Sequence, residues 1–504
     1  MLSLSLLALT MSSRNLHSTL LVLSLFFSLS IADDRAILSK LSASLTSSPS
    51  GWTGTSYCQW TGIKCDSSNR VTSINLASKS LSGTLPAELS QLSQLKTLAL
   101  QRNSLSGTLP SFANLTTLQE LFLDSNNFTS VPRDFLLGLT NLRTLSISDN
   151  SNLSPWKIPD YLSESTDLGT FAASNSGIFG TIPDIFDSFQ NFQNLRLSYN
   201  NLNGVLPKTF WGSGIQNLWL NSQAIGLSGS IDVLSSMPQL SQVWLFANAF
   251  TGPVPDLSKC LNLFDLQLRD NHFTGILPPS LTELPKLINI SLQNNKLQGQ
   301  FPEFKSGVNA TLGDTNSFCR SSAGPCDPQV NVLLAVAGAL SYPISLAEAW
   351  TGNDACAKWT FVTCDSRGKS VRTLNFAKQH FSGTISPALS NLTSLQNLLL
   401  SDNNLTGSIP ESLTTLDQLV ALDVSNNNLT GPVPSFAPTV KITANGNSFI
   451  GKDVDSEDGN GKKSGSGSDD GVQLSDNVAS MERSTWSVTA TIVITVLLMF
   501  MRVC

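Results

Sequence analysis

The chain has 504 residues, of which 41% are hydrophobic and only 13% charged. That is enough apolar material for several domains or for one long array, so length leaves the architecture open. With a net charge of −6, nothing in the composition suggests the basic surface that nucleic-acid binding requires.

Arg14 and His17 precede an apolar run from Leu20 to Leu29, and Ser30-Ile31-Ala32 places small residues before Asp33-Asp34. This order predicts a secretory signal peptide over 1–32, with Met11 an alternative start. The apolar run is too short to span a membrane. Export predicts oxidised cysteines and glycosylated asparagines, and N-x-S/T sequons occur at Asn114, Asn127, Asn289, Asn309, Asn391, Asn404 and Asn428. An eighth, at Asn152, is disfavoured by Pro155.

Residues 33–70 hold Trp52-Thr53-Gly54, Cys58, Trp60, Cys65 and Asp66 just ahead of the first strand of a repeat, as a capping unit would. A Cys58–Cys65 disulfide closes a short loop and contributes about 2.5 kcal/mol.

From Val71 the pattern LxxLxLxxNxLxGxIP recurs roughly every 24 residues. Clean copies start at Leu95, Phe192, Leu263, Leu395 and Leu419; degenerate ones start at Val71, Leu118, Leu142, Leu168, Ile215, Leu240, Leu287 and Val371. The LxL segment predicts a short strand with leucines turned inward and the residue between them facing a concave surface. The asparagine after it, as at Asn103, Asn126, Asn150 and Asn200, predicts an amide that satisfies turning backbone inside an apolar core. The repeats starting at Leu142 and Ile215 each carry about two extra residues, which predicts surface loops. The whole pattern resembles leucine-rich-repeat proteins, and the GxIP element resembles the plant extracellular type. The expected fold is therefore an α/β leucine-rich-repeat solenoid, with a first array over 71–308.

Register selects a contact surface on that array. Trp219, Trp244 and Phe246 fall on adjacent strands, flanked by Arg196 and Arg269, which predicts an exposed aromatic patch for binding a partner.

The period fails over 309–370. This island carries Cys319 and Cys326, a predicted helix around Gln329 to Leu340, then Trp350-Thr351-Gly352, Cys356, Trp359, Cys364 and Asp365. Its second half repeats the order of the first cap. The expectation is a C-terminal cap closed by Cys319–Cys326, then a new N-terminal cap closed by Cys356–Cys364, so that ten repeats are followed by three over 371–451. Cys260 is expected as a free thiol in the core. No catalytic, cofactor or metal site is expected: His272 and His380 are far apart and outside any ligand-spaced cluster.

Residues 452–485 are rich in Gly, Ser and Asp, which predicts a flexible stalk. The apolar tail 486–501 falls slightly short of a roughly 30 Å hydrocarbon core, so it reads either as a transmembrane helix or as a lipid-anchor signal, with 502–504 after it. Both readings put the chain on the outer face of a plasma membrane.

The island from Ser317 to Trp359, the run from Phe381 to Leu416 and the segment from Asn445 to Asp453 resemble the transmembrane kinase (TMK) family of plant receptor kinases. That resemblance implies a cell-surface role in growth signalling of the auxin type. The implied partners are extracellular protein or peptide ligands, co-receptors and secreted auxin-binding proteins. The family's kinase domain is not matched, since VAIK, HRD and DFG elements are absent from the 504 residues. The chain is therefore expected to act through partners rather than as an enzyme. The alternatives are a truncated version of such a receptor kinase and an apoplastic inhibitor or defence protein.

Overall fold

A computed structural model describes residues 33–451; the expected signal peptide, stalk and membrane tail lie outside them. Among the described residues no helix is long and apolar enough to cross a membrane.

The chain begins with a helix, Asp34–Ser44, whose N-terminus is capped by the Asp33 carboxylate accepting from the Arg35 amide. Ile37, Leu38 and Leu41 line its buried face. Behind it Trp52 and Trp60 stack at 5.1 Å, and the Cys58–Cys65 disulfide ties strand Ile63–Cys65, which runs antiparallel to Val71–Asn75. Every later strand of the sheet is parallel to its neighbour, giving a twelve-stranded sheet from Ile63–Cys65 to Asn309–Thr311. Each repeat supplies one three-to-five-residue strand because its two inward leucines alternate with a residue on the other face.

The asparagine ladder behaves as the motif predicts. The Asn200 amide donates to the carbonyls of Ala173 and Leu197, while its oxygen accepts from the Ser176 and Ile178 amides. In the long repeat at Ile215 the same work falls to Gln223, whose longer side chain reaches Leu197 and Leu220 carbonyls and the Leu202 amide. Cys260 is a buried free thiol that burial pushes up to about 11.

A second, lateral sheet forms where the Lx-G segments pair, but it is not continuous. Three strands from Ser82–Gly83 to Asn127–Ser130 are followed by a gap, and seven strands then run from Phe179–Gly180 to Ser317–Phe318. The gap coincides with the long repeat at Leu142, where only a single bridge, Trp156 to Ile178, remains.

The island departs from the expected boundary. Asn309–Thr311 still pairs with Asn289–Ser291, and Ser317–Phe318 extends the lateral sheet, so the first array continues beyond 308. Helices Pro328–Ala339 and Ile344–Ala349 follow. Cys319–Cys326 is closed as expected, but both cysteines are buried with Val330, Leu333 and Trp350 in the core of the second array. The bridge therefore belongs to the joint between the arrays and is not a cap of the first alone. At that joint the Gln298 amide donates to the Trp350 carbonyl at 2.7 Å, both groups buried. The Tyr342 ring lies so close to Gly275 that a Cβ there would meet it at 2.6 Å. From Trp350 the second cap repeats the first, with Trp359 stacked on Trp350 at 5.3 Å and Cys356 bonded to Cys364. A five-stranded sheet then runs from Val362–Cys364 to Lys441–Thr443 around its own core.

Candidate interaction surface

Parallel strands lie about 4.8 Å apart, close to the thickness of a stacked ring, so aromatic residues at one register position stack directly on each other. Arg196, Trp219 and Trp244 occupy that position on strands Asn194–Arg196, Asn217–Trp219 and Gln242–Trp244, which pair in register. The Trp219 and Trp244 rings stand 4.3 Å apart and 9° from parallel, and the Arg196 guanidinium covers the outer face of Trp219 at 4.2 Å. On the next row the Arg269 guanidinium lies 3.9 Å over the Phe246 ring and pairs with Asp270 at 2.5 Å.

All five candidates are thus brought onto one concave surface, but all five are half-buried. The aromatic patch expected to be exposed is therefore only partly so. Trp219 is covered on one face by Trp244 and on the other by Arg196, and Arg269 covers one face of Phe246, so much of what reaches the solvent is ring edge. An edge carries the positive part of the ring quadrupole. Arg196 and the Asp265 carboxylate, which lies against the Trp244 edge, give the strip charges of both signs.

Sequence reasoning missed the residues that hold the strip. The Trp244 indole N–H donates to Asp265 at 2.8 Å, the Gln267 amide donates to the other Asp265 oxygen at 2.6 Å, and the Ser291 hydroxyl donates to Gln267 at 2.5 Å. Asp265 is buried. Its position, directly beside Gln242 in the pairing, was available from register alone, but a single carboxylate among polar strand residues gives no signal until the indole is placed. Among the described residues the Trp219 indole N–H and the Arg196 Nε are enclosed without a hydrogen-bond partner.

Most of the rest of the concave surface is polar, with Phe122 at the same register position nearer its start. Toward its start a recess of about 440 Å³ is lined by Gln101, Arg102, Asp124, Ser148 and Asp149. Burial pushes the Asp124 carboxyl up, opposed by hydrogen bonds from the Ser146 hydroxyl and Ser148 amide. Toward its end, sequon asparagines Asn289 and Asn309 are register partners, the first strand of that pair lying two strands beyond Trp244. The other expected glycan carriers, Asn114, Asn127, Asn391, Asn404 and Asn428, are exposed. Among the described residues no group of His, Cys, Asp or Glu comes together to hold a metal ion.

Comparison with known proteins agrees with this architecture. A family model described as Leucine rich repeat N-terminal domain matches twice, at 31–66 and 326–365, which are the two caps. The Leucine Rich Repeat model matches 191–213, 262–284, 394–416 and 418–438. Receptor-like kinase TMK4 of Arabidopsis thaliana is 52% identical over 380 residues, covering 75% of this chain and 41% of the relative. Receptor protein kinase WSS1 of Oryza sativa subsp. japonica is 41% identical over 405 residues, covering 79% and 44%. The chain thus spans less than half the length of these curated relatives. Among solved structures, the Arabidopsis receptor kinase HAESA in complex with the peptide hormone IDA and the co-receptor SERK1 matches at 26% identity with a TM-score of 0.50, covering 80% of this chain and 71% of that one. The chain is a leucine-rich-repeat protein whose two capped arrays match the ectodomain of the TMK receptor-like kinases.

Proposed function

We propose that the first array is the ligand-reading surface of a plant cell-surface receptor, and that the Arg196–Trp219–Trp244 strip is where an extracellular protein or peptide docks. The observation that supports this reading most is the strip itself: two stacked indoles under a guanidinium, on a surface that is otherwise mostly polar. Aromatic and arginine side chains held in place by their neighbours lose little entropy on binding, which suits an interface centre. Glycans at Asn289 and Asn309 would limit that interface on its C-terminal side.

The chain would sit at the plasma membrane with its arrays in the extracellular space, and would act in growth signalling of the auxin type through partners. Those partners are of two kinds: co-receptors, by analogy with the HAESA complex, and secreted auxin-binding proteins. A second reading is favoured by the lengths of the relatives: the chain is the ectodomain portion of a receptor kinase. A transcript continuing past Cys504 into kinase sequence would establish that reading. An apoplastic inhibitor is a weaker match, because the second capped array has no role in it.

The test is capture of co-receptor ectodomains and auxin-binding proteins by the secreted chain and by its Trp219→Ala/Trp244→Ala variant. Capture reduced about tenfold or more, with secretion and melting temperature unchanged, supports the strip as the contact. Equal capture by both proteins removes the strip from the interface.

A further inference from the structure

The gap in the lateral sheet has a consequence of its own. Where the long repeat at Leu142 fails to add a strand between Asn127–Ser130 and Phe179–Gly180, the outer segments separate and leave a recess of about 620 Å³ outside the concave sheet. Its apolar lining includes Pro132, Trp156, Pro159, Tyr161 and Phe179. The walls are fixed: the Trp156 indole N–H donates to the Ser176 carbonyl at 2.7 Å and the Tyr161 hydroxyl to the Arg133 carbonyl at 2.5 Å.

Those two bonds decide what the recess can take. With the indole and phenol already engaged, few hydrogen-bonding groups are left in the apolar lining, so a sugar ring with its many hydroxyls would be poorly satisfied there. Two exposed cations remain. Arg133 and Lys157 both belong to the lining, and neither forms an ion pair among the described residues. Lys157 instead lies 5.3 Å from the Phe179 ring centroid. Three carboxylates lie nearby in the chain, Asp134, which accepts from the Ser111 hydroxyl at 2.9 Å, Asp160 and Glu164, and none of them belongs to the lining.

We propose that this recess is a second docking site, independent of the concave strip, for an acidic peptide segment: an aromatic or proline side chain enters the apolar floor while adjacent carboxylates pair with Arg133 and Lys157. Proline and aromatic linings suit extended chain, whose backbone needs few partners of its own.

The probe is acetyl-prolyl-phenylalanyl-aspartate with a free C-terminus, titrated calorimetrically into the secreted glycosylated chain up to about 10 mM, a range suited to so small a ligand. A counterpart with both carboxylates replaced by carboxamides is titrated alongside. Saturable binding is expected, weakened about fivefold by the carboxamides and about fivefold by Arg133→Gln/Lys157→Gln, in keeping with exposed charge pairs. Trp219→Ala is expected to leave it unchanged, which separates this site from the concave strip. Hydrogen-exchange protection should fall on 131–136 and 155–161. Equal affinity for the carboxamide peptide, protection elsewhere, or unchanged affinity in the double glutamine variant would each overturn the assignment. So would binding that appears only after enzymatic deglycosylation, since a glycan at Asn127 or Asn152 would then be the occupant. The glutamine substitutions are on exposed side chains, so folding is preserved, and an unchanged melting temperature confirms this in the same samples.

Discussion

The two N-terminal caps solve one problem with different chemistry. Both stack two tryptophans whose indole N–H groups donate to matching carbonyls, Trp52 to Thr61 and Trp350 to Thr360, and both close a short disulfide loop before an antiparallel first strand. They differ in what holds the helix to that strand. In the first, Asp34 is 2% exposed, accepts from the Val71 amide at 2.7 Å and is forked by the Arg70 guanidinium. In the second, neutral Gln329 accepts from the Val371 amide at 2.8 Å and donates to the Lys369 carbonyl. The first helix thus carries a buried charge that must stay paired, and the second does not. The first cap lies at the start of the array, whereas the second is held between two arrays and has further contacts to rely on.

Asp34→Ala should produce the largest effect. It strands a partly enclosed guanidinium and an amide, for a loss of about 3 kcal/mol in a denaturant titration. Gln329→Ala should cost only about 1 kcal/mol. Equal losses would show that the ion pair contributes no more than the neutral bond. Between these fall Cys58→Ser and Cys356→Ser, each expected to cost about 2.5 kcal/mol because the loops are nearly equal in length; a clear inequality would mean that the joint between arrays substitutes for its disulfide.

A finer difference lies one turn later. Gly62, at φ +84°, has the Asn75 carbonyl where a Cβ would be, whereas the equivalent Phe361 holds φ +72° with a full side chain packed near Phe376 and Phe381. Phe361→Gly relieves backbone strain and removes aromatic contact. The contact should outweigh the strain, leaving a loss of about 1 kcal/mol; a gain would reverse that order. Smallest is the acid limb of the second cap. Backbone amides of Lys369 and Ser370 hold the Asp365 carboxyl below its usual range. A depressed folded-state value adds stability above the unfolded pKa of about 3.9, lost as pH falls through the folded one. Melting temperature of Asp365→Asn between about pH 5 and 2.5 should therefore fall less steeply than that of the unaltered chain.

Much of the fold was legible because the recurring positions of each repeat each serve one local task. Leucine spacing gave the strands, and asparagine gave the turns. The cap duplication was legible for the same reason, through tryptophan and cysteine spacing. What was not legible depends on neighbours across strands or on missing ones. Asp265 matters because an indole one strand away points its N–H there. The aromatic faces are partly covered because parallel pairing stacks them. Two extra residues near Leu142 look like any loop until the lateral strand they displace is seen to be absent. Likewise, the Cys319–Cys326 spacing predicts a bridge but not which core it joins.

The Gln298–Trp350 hydrogen bond also has a meaning in time. Its two residues are separated by 52 positions, and the backbone carbonyl that accepts it, that of Trp350, belongs to the cap of the next array. During synthesis the first array therefore emerges with its last repeat unfinished, and stays so until the following fifty or so residues have left the ribosome and closed over it. A chain stopped before Trp350 would leave that end of the first array uncovered, so the cap that opens the second array also completes the first.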